Sequence, residues 1–377
     1  MILVKRKILF ILNSLGGGGA QHQLITLLSG MDKDKFQVSL AYLQGPETLL
    51  HQTNQLELEA VFCCNVSKRL DFRAIQQLKR FIHNKNIEII VCLDQYPMLY
   101  GYLSNTLARL KCHLIEVLHN TILPSNYEEL KSALVYKWVF RKCNKVIFVC
   151  KNQQEHWINK IGSHGLNYIY IYNGVDVGHF TDRFSVMEKK SLRDRLCFLE
   201  NDYVIGICSL LRKEKKHTEL LEAANLLKQQ GIKIKILIIG DGELRTSIEN
   251  FAKERSLTKD VIITGYQEDV RPFIAICDCM VLTSHAVETF SLSILESMAM
   301  GKPVINTNIG GAIEQIVHGV NGFLYEKGKI ADLTHYLQCL TDKNLRVKMG
   351  QAGRRIVVEQ FTKDKMISRY QEVFLSI

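Results

Sequence analysis

Short apolar segments alternate with longer amphipathic segments along nearly the whole chain, and this alternation constrains the fold more than any other feature. Lys7–Leu12, for example, is apolar and is followed by a glycine run and the amphipathic segment Ala20–Ser29. Apolar runs of this length predict strands, whereas apolar residues three or four positions apart predict helices. Strands that are separated by helices form βαβ units, so we expect an α/β architecture with parallel sheets.

The alternation is interrupted once. It runs to Asn173-Gly174, weakens across the polar and charged residues 175–202, and resumes at Tyr203. A chain of 377 residues is long enough for two domains of ordinary size. We therefore predict two doubly wound domains, residues 1–174 and 203–361, with a linker over 175–202. In such domains the ligand site is expected at the carboxyl ends of the strands.

The composition is that of a globular protein, with 47% hydrophobic and 23% charged residues. No segment is long and apolar enough to span a membrane, and the apolar run from Ile8 to Leu12 is too short for a secretory signal. The 11 cysteines are scattered, without a CxxC pair or a zinc-ligand spacing. We expect buried free thiols in a reducing compartment, which predicts a cytoplasmic protein without a metal site.

The net charge of +10 lies mostly in the first half of the chain. Residues 1–172 hold 20 Lys and Arg against 12 Asp and Glu. The sequence has no helix-turn-helix, zinc-finger or RNA-stacking signature, so nucleic acid is not expected as a partner. An anionic membrane surface and a phosphate-bearing acceptor both fit a basic first half, and the charge does not separate them.

The segment Ser284–Gly311 carries the most chemical information. Glu288 and Glu296 are eight positions apart, with a polar turn and a predicted helix start near Ser291 between them. The free N–H groups and the positive dipole end of that helix would form an anion site. A phosphate there, flanked by two carboxylates that accept from hydroxyl groups, would suit a sugar nucleotide. Two solvated charges are the simpler alternative, but the helix is largely apolar and a buried carboxylate needs a partner.

Three further features lie where predicted strands end. The run Gly16–Gly19 follows the first strand and precedes a helix, where a glycine backbone can approach a ligand closely. His119 ends a strand of the first domain, and the basic run Arg212–Lys216 follows the first strand of the second domain. The structural alternatives are an ordinary strand–helix turn, a structural histidine and a solvated charge run.

The predicted helix Glu128–Arg141 carries Tyr136, Trp138 and Phe140 beside basic residues. The favoured interpretation is a helix that packs on a sheet with its basic residues outward. An interfacial patch that touches anionic lipid is the alternative.

Together these motifs resemble the group 1 family of retaining glycosyltransferases, and the resemblance runs nearly from end to end. Glu288–Leu324 is similar to the family's pair of glutamates separated by seven residues and to the glycine-rich segment after it. Supporting matches are LGGGGAQ (Leu15–Gln21), VLHN (Val117–Asn120), IYNGVDVGHF (Ile171–Phe180), LRKEKKH (Leu211–His217) and IIGDGEL (Ile238–Leu244). The resemblance implies the GT-B fold, two Rossmann-like domains that face each other across a cleft, with a C-terminal helix, residues 362–377, that returns to the first domain.

The resemblance also implies roles for residues of the second domain. Glu296 would hold the ribose hydroxyls of a nucleotide sugar, and Glu288 would hold the donor sugar. The backbone at Phe290, Ser291 and Leu292 would meet the diphosphate at the helix start.

Further roles follow from the same resemblance. Arg212 and Lys215 would neutralise the leaving diphosphate. His119 would contact the donor sugar from the first domain, and Gly17 and Gly18 would lie near the diphosphate and the acceptor.

The activity that the resemblance implies is transfer of a sugar from a UDP- or GDP-type nucleotide sugar to an acceptor hydroxyl, with retention and without a metal or cofactor. The expected acceptor is a saccharide or a lipid-linked molecule in cell-surface polysaccharide or glycolipid synthesis, reached from the inner face of the cell membrane. Two alternatives remain: a sugar-nucleotide epimerase of the same fold, and a non-catalytic protein that binds sugar nucleotides at a membrane surface.

Overall fold

The computed structural model describes residues 5–109, 111–119, 137–286 and 288–377, which form two compact units. The first unit comprises the chain up to Gly174 together with Lys363–Ile377, and the second comprises Val175–Thr362. Each unit is a parallel sheet packed with helices. The predicted α/β class is therefore confirmed.

The first unit contains a seven-stranded sheet in the order β3-β2-β1-β4-β5-β6-β7. Its strands are β1 (Arg6–Leu12), β2 (Phe36–Tyr42), β3 (Ala60–Cys63), β4 (Ile89–Leu93), β5 (His113–Leu118), β6 (Lys145–Phe148) and β7 (Tyr168–Tyr170). Ile8 to Leu12 are buried, as expected for a central parallel strand covered on both faces. The strand order reverses between β1 and β4, which makes their carboxyl ends the switch point of this sheet.

Five helices precede residue 174 in the described part of this unit: α1 (Gly19–Ser29), α2 (Leu50–Thr53), α3 (Phe72–Lys85), α4 (Gln95–Ala108) and α5 (Lys151–Ile161). α3 shows why such segments fold as helices. Asp71 caps its first turn by accepting the N–H of Arg73, and Asn86 ends it in a left-handed conformation. The predicted helix Glu128–Phe140 lies outside the described residues except for 137–140, which are helical.

The second unit contains a six-stranded parallel sheet in the order β10-β9-β8-β11-β12-β13. Its strands are β8 (Tyr203–Cys208), β9 (Ile234–Ile239), β10 (Val261–Ile263), β11 (Cys279–Leu282), β12 (Val304–Thr307) and β13 (Gly322–Tyr325). The order reverses between β8 and β11, so the loops after these two strands meet at the switch point.

The helical segments of the second unit are α6 (Val186–Arg195), a 3₁₀ turn (Lys213–Lys215), α7 (His217–Gln229), α8 (Arg245–Glu254), α9 (Arg271–Ile276), α10 (Leu292–Ala299), α11 (Ala312–Gln315), α12 (Ile330–Cys339) and α13 (Lys343–Gln360). α6 falls within residues 175–202, the predicted linker, which here belong to the second unit. The helix buries only Leu192, so its apolar pattern is weak. Its start is marked instead by a capping box between Ser185 and Glu188.

The last helix, α14 (Lys363–Leu375), belongs to the first unit. Phe374 is fully buried there, with its ring centroid 6.0 Å from that of Phe10 and 6.1 Å from that of Phe36. Arg6 donates to the carbonyl of Ile377 at 2.6 Å. Within the described residues, no helix is long and apolar enough to cross a bilayer.

Candidate active site

The densest polar cluster predicted from the sequence forms at the switch point of the second unit. The loop after β8 carries Lys215, and the loop after β11 carries Glu288. β8 and β11 are neighbours in the sheet although 73 residues separate Lys215 from Glu288. Adjacent parallel strands place both loops at the same edge, so the topology brings the two side chains together.

Lys215 and Glu288 form an ion pair. The Lys215 Nζ lies 2.5 Å from the Glu288 Oε2, and these side chains are only 18% and 12% exposed. The hydroxyl of Ser284 donates to the same oxygen at 3.1 Å. A carboxylate removed from water in this way is satisfied by one cation and one hydroxyl, and it holds the ammonium at a fixed position.

The two loops are also joined through their backbones. The hydroxyl of Thr283 donates to the carbonyl of Lys215 at 2.7 Å, and the N–H of His285 donates to the carbonyl of Glu214 at 2.8 Å. The ring of His285 contacts the carboxylate of Glu219, a residue at the start of α7. These contacts fix the Lys215 side chain by fixing the main chain that carries it.

A glycine after β12 lets a third loop approach the same site. Gly310 has φ +55°, and a Cβ at this position would lie 2.2 Å from the carbonyl oxygen of Glu288. The N–H of Gly311 donates to the carbonyl of Thr289 at 2.7 Å. A side chain at Gly310 would therefore push the Glu288 loop away, and only glycine fits both the space and the backbone conformation.

The helix α10 begins directly after this loop, as predicted, with Ser291 as its N-cap. The Ser291 hydroxyl accepts the N–H of Ile294 at 3.4 Å, and the Gln315 side chain binds both the N–H and the carbonyl of Ser291. Within the described residues, the N–H groups of Leu292 and Ser293 have no acceptor. Two free N–H donors at the positive dipole end of a helix are the features that favour an anion.

The side chain of Phe290 is not part of that anion site. It is 4% exposed, and its ring lies 5.3 Å from that of Phe361 in an edge-to-face arrangement. Phe290 therefore anchors the loop in the core of the second unit.

Glu296 lies in α10, between the buried residues Leu295 and Ser297. Burial raises the pKa of its carboxyl to about 8, and the charge of Glu296 in turn raises the pKa of the Cys208 thiol at the end of β8, although burial contributes more to that thiol. The carboxyl of Glu296 therefore lies near the end of β8, where burial disfavours its charged form.

The rest of the basic run takes different positions. Arg212 and Lys213 are exposed, and the guanidinium of Arg212 has no partner among the described residues. His217, at the start of α7, is buried with its Nε2 3.0 Å from the Ser209 hydroxyl. Burial, with the charge of Lys215 as a smaller cause, lowers the pKa of His217 to about 4. Of this run, only Lys215 contacts a predicted site carboxylate.

The first unit has its own cluster at the ends of β1, β4 and β5. The glycine run follows β1, and Gly18 is the N-cap of α1. Asp94 follows β4 with φ +68°, and its Oδ1 accepts the N–H of His119 at 2.9 Å. Burial raises the pKa of Asp94 to about 6 and lowers the pKa of His119 to about 4. Both side chains are thereby biased towards their neutral forms.

A second carboxyl lies beside this cluster, within β5. Glu116 is fully buried, and within the described part of the chain neither of its carboxyl oxygens has a hydrogen-bond partner. Burial, and next the charge of Asp94, raise its pKa well above the usual value. The Glu116 carboxyl is therefore biased towards its neutral form, because burying a carboxylate without a partner is costly.

Two family models match the chain in succession. The model for group 1 glycosyl transferases matches residues 188–356, and the model for glycosyltransferase family 4 matches residues 17–179. The chain belongs to the group 1 glycosyltransferases.

Similar proteins agree with this assignment. A UDP-Gal:alpha-D-GlcNAc-diphosphoundecaprenol alpha-1,3-galactosyltransferase from Escherichia coli is 24% identical over 379 residues, 95% of this chain and 96% of that protein. An N-acetyl-alpha-D-glucosaminyl L-malate synthase from Bacillus anthracis is 30% identical over 208 residues, and this match spans 55% of the chain and 53% of that relative. The crystal structure of Anabaena HepE in complex with UDP-glucose has a TM-score of 0.85 at 25% identity and covers 98% of this chain and 100% of HepE. The predicted GT-B fold is confirmed.

In this glycosyltransferase the structure brings together Lys215, Glu288 and the start of α10, and it places Glu296 further along that helix. Gly17, Gly18 and His119 lie at strand ends of the first unit. Ser284 and Gln315, which hold Glu288 and Ser291 in place, were not predicted from the sequence. Ser284 precedes Glu288 by four residues in the same loop, which is a usable signal, whereas nothing in the sequence pairs Gln315 with Ser291.

Proposed function

We propose that this chain is a retaining, metal-independent glycosyltransferase that moves a sugar from a UDP-sugar to an acceptor hydroxyl. The main support is the arrangement at the second switch point, where the ammonium of Lys215 is held by Glu288 and lies in a loop beside the one that leads into α10. A fixed cation and free N–H groups are what a leaving diphosphate needs when no metal neutralises it. A UDP donor is favoured because UDP is named for both the galactosyltransferase and the HepE complex.

The donor would bind along α10 and the loops beside it. Its diphosphate would accept from the N–H groups of Leu292 and Ser293, while Lys215 and the exposed Arg212 supply positive charge. Glu296 would accept from the ribose hydroxyls. Glu288 would accept from hydroxyls of the donor sugar through the oxygen that Lys215 leaves available. Phe290 and Ser291 contribute by setting the position of the helix start.

The transfer step is a substitution at the anomeric carbon of the donor sugar. The bond from that carbon to the diphosphate oxygen breaks, and negative charge grows on the phosphate beside Lys215. The sugar becomes cation-like, which the carboxylate of Glu288 stabilises electrostatically. The acceptor oxygen bonds to the same face while the departing phosphate takes its proton, so configuration is retained without an enzyme nucleophile.

The acceptor would be met by the first unit, with His119, Gly17 and Gly18 as its sugar- and acceptor-side residues. Neutral His119 suits uncharged hydroxyl groups, since it can donate or accept a single hydrogen bond. The galactosyltransferase relative is named for a diphosphoundecaprenol-linked acceptor. We infer a saccharide or lipid-linked acceptor in cell-surface polysaccharide or glycolipid synthesis, used by a cytoplasmic enzyme at the inner face of the membrane.

The decisive test is incubation of the purified chain with a panel of UDP- and GDP-sugars, with and without a membrane extract. We expect one UDP-sugar to be consumed faster when extract is present and its sugar to appear in the lipid fraction, with the donor's anomeric configuration by NMR. Conversion of the nucleotide sugar into an epimer without acceptor would indicate an epimerase instead. Binding without any turnover would indicate a non-catalytic protein.

Metal independence has its own test. Within the described residues, no group of three or more His, Cys, Asp or Glu side chains could hold a metal ion. We expect transfer to be unchanged after dialysis against EDTA, because Lys215 and the helix N–H groups replace a cation. Loss of activity that added Mg²⁺ or Mn²⁺ restores would contradict this part of the proposal.

A further inference from the structure

An exposed apolar groove lies at one edge of the first unit, between α3 and β3. β3 is the edge strand of the sheet and pairs only with β2. The groove has a volume of about 780 Å³. Its lining includes Phe62 from β3 and Phe81 from α3, whose ring centroids are 4.7 Å apart. We call it the α3 groove.

Two large apolar side chains next to this groove are exposed to water. Phe72, at the first position of α3 and in the lining of the groove, is 66% exposed, and Leu70 is 41% exposed. The core of the first unit does not need them, because α3 packs inward through Ala74, Ile75, Leu78 and Ile82. An exposed aromatic ring next to an apolar groove favours contact with another apolar phase.

Cations surround the groove. Residues 67–86 contain six Lys and Arg but only one acidic residue, Asp71. Four of these cations are exposed and have no carboxylate partner within the described part of the chain: Lys68, Arg69, Arg73 and Arg80. The carboxylate of Asp71 is engaged locally, accepting from the N–H of Arg73 and the hydroxyl of Ser67. The described carboxylates therefore leave the positive charge of this face unbalanced.

The segment before α3 is held in place by two tyrosines of α4. The hydroxyl of Tyr100 accepts the N–H of Asp71 at 2.9 Å, and the hydroxyl of Tyr96 donates to the carbonyl of Arg69 at 3.1 Å. Leu70 and Phe72 are thus presented by an anchored backbone. Little conformational entropy would be lost when this face meets a partner.

We propose that this face docks on a lipid bilayer that contains anionic lipids. Phe72 and Leu70 would enter the interfacial region while the four exposed cations contact the headgroups. A bilayer offers an apolar layer directly beneath a negatively charged surface, which matches the combination of exposed rings and unpaired cations. The inference rests on the proposed function in one respect, since docking would bring the enzyme to a lipid-linked acceptor.

Vesicle co-sedimentation of the full chain tests the docking without any substrate. We expect the wild-type chain to bind vesicles of phosphatidylcholine with phosphatidylglycerol, to bind phosphatidylcholine alone much more weakly, and to dissociate at high salt. The double variant Arg73→Glu/Arg80→Glu should bind the anionic vesicles at least about tenfold more weakly. Phe72→Ser should also weaken binding, and its residual binding should keep the salt dependence.

Matched controls are available on α6 in the second unit. Met187 is 82% exposed, and Lys190 and Arg195 are exposed on the same helix. Met187→Ser likewise replaces an exposed apolar side chain by serine, and Lys190→Glu/Arg195→Glu likewise reverses two positive charges. We expect wild-type vesicle binding from both control variants. Equal losses in the α3 variants and in these controls would overturn the proposal, because general charge would then explain the binding.

Other occupants of the groove would give different results. Self-association of the wild-type chain without lipid, abolished by Phe72→Ser, would assign the face to a second copy and overturn the proposal. Equal binding to neutral and anionic vesicles would also overturn it. Donor consumption with a water-soluble acceptor should be unchanged in Arg73→Glu/Arg80→Glu. If wild type showed no transfer at all, the proposed function would fail while the vesicle result still stood.

Discussion

The two units have the same architecture, a parallel sheet with one reversal of strand order, but their switch points differ in charge. In the second unit, the carboxylate of Glu288 is paired with Lys215 and with a hydroxyl. In the first unit, Asp94 accepts a backbone N–H, and Glu116 has no hydrogen-bond partner among the residues that the structure describes. Both carboxyls have raised pKa values. The same type of fold therefore carries two different switch points. The second unit has an ion pair, Lys215–Glu288, whereas the first unit has carboxyls, Asp94 and Glu116, that are biased towards their neutral forms.

This difference follows from what surrounds each carboxyl. An ionised carboxylate can remain in a partly buried loop if a cation and a donor satisfy it, as around Glu288. Glu116 lies within β5, where burial without a hydrogen-bond partner among the described residues favours the neutral carboxyl instead. The charged switch point suits an anionic ligand, and the neutral one suits hydroxyl groups.

At the switch point of the second unit, substitution of Gly310 should have the largest effect, because this glycine closely approaches the Glu288 loop. Gly310→Ala places a Cβ 2.2 Å from the Glu288 carbonyl and should lower the free energy of unfolding by about 3 kcal/mol. Gly319 also has a positive φ, +78°, but no atom lies within 4 Å of its added Cβ. Gly319→Ala should therefore cost only about 1 kcal/mol. Urea unfolding of both variants measures the difference, and equal costs would show that the backbone conformation alone matters.

Lys215 should dominate the basic run in catalysis. We expect Lys215→Ala and Glu288→Gln each to lower kcat/KM at least about tenfold, roughly 1.4 kcal/mol, without loss of fold by circular dichroism. Lys213→Ala is the matched control, because this exposed neighbour lies in the same 3₁₀ turn and should keep wild-type kinetics. Wild-type turnover in Lys215→Ala and Glu288→Gln would remove both residues from the proposed site.

The raised pKa of Glu296 should make the affinity for UDP depend on pH. The pKa of Glu296 is raised to about 8, so the group is mostly protonated at pH 7 and mostly ionised at pH 9. If the carboxylate accepts from ribose hydroxyls, the affinity for UDP should rise by up to about tenfold over this range. Calorimetric titration measures it, and Glu296→Gln should bind UDP without that rise. An unchanged pH dependence in Glu296→Gln would separate Glu296 from the ligand.

The raised pKa of Glu116 should make the free energy of unfolding depend on pH. The folded state raises the pKa of Glu116. The contribution of this carboxyl to the free energy of unfolding is therefore fully present below the ordinary carboxyl pKa, and it is lost as the pH rises through the raised value. Glu116→Gln cannot ionise. We expect it to match wild type within about 0.5 kcal/mol at pH 5 and to become the more stable protein at alkaline pH. Thermal unfolding across pH measures the crossover, and a constant difference would contradict it.

Most of the fold follows from local sequence. The apolar runs at β2, β5 and β13 predict the strand bounds that the structure has, Phe36–Tyr42, His113–Leu118 and Gly322–Tyr325. The Ser291 cap likewise marks the start of α10. The helix α6 was missed because it buries a single residue, so its signal is the capping box rather than a periodic pattern.

The site was predictable only in part. Lys215 and the glycines were recognised because they follow predicted strands, and loops after parallel strands carry ligand contacts. Glu288 and Glu296 were recognised because they flank a predicted helix start. The sequence did not reveal that Ser284 shares the Glu288 carboxylate with Lys215, or that Gln315 takes the N–H of Ser291. It also gave no sign that Phe72 is exposed while Phe10 and Phe36 are buried.

Local sequence specified the alternation of strands and helices. It also specified where glycines allow a tight approach and which chemical groups lie near strand ends. These depend on hydrophobic periodicity and local backbone conformation, which a few neighbouring residues specify. Tertiary structure decided which groups meet. The strand order places β8 beside β11, and this long-range packing joins Lys215 to Glu288. In the first unit, packing buries Glu116 with no hydrogen-bond partner among the described residues. Pairing and burial set the charge state of each carboxyl, so the chemistry of both switch points depends on contacts between distant segments.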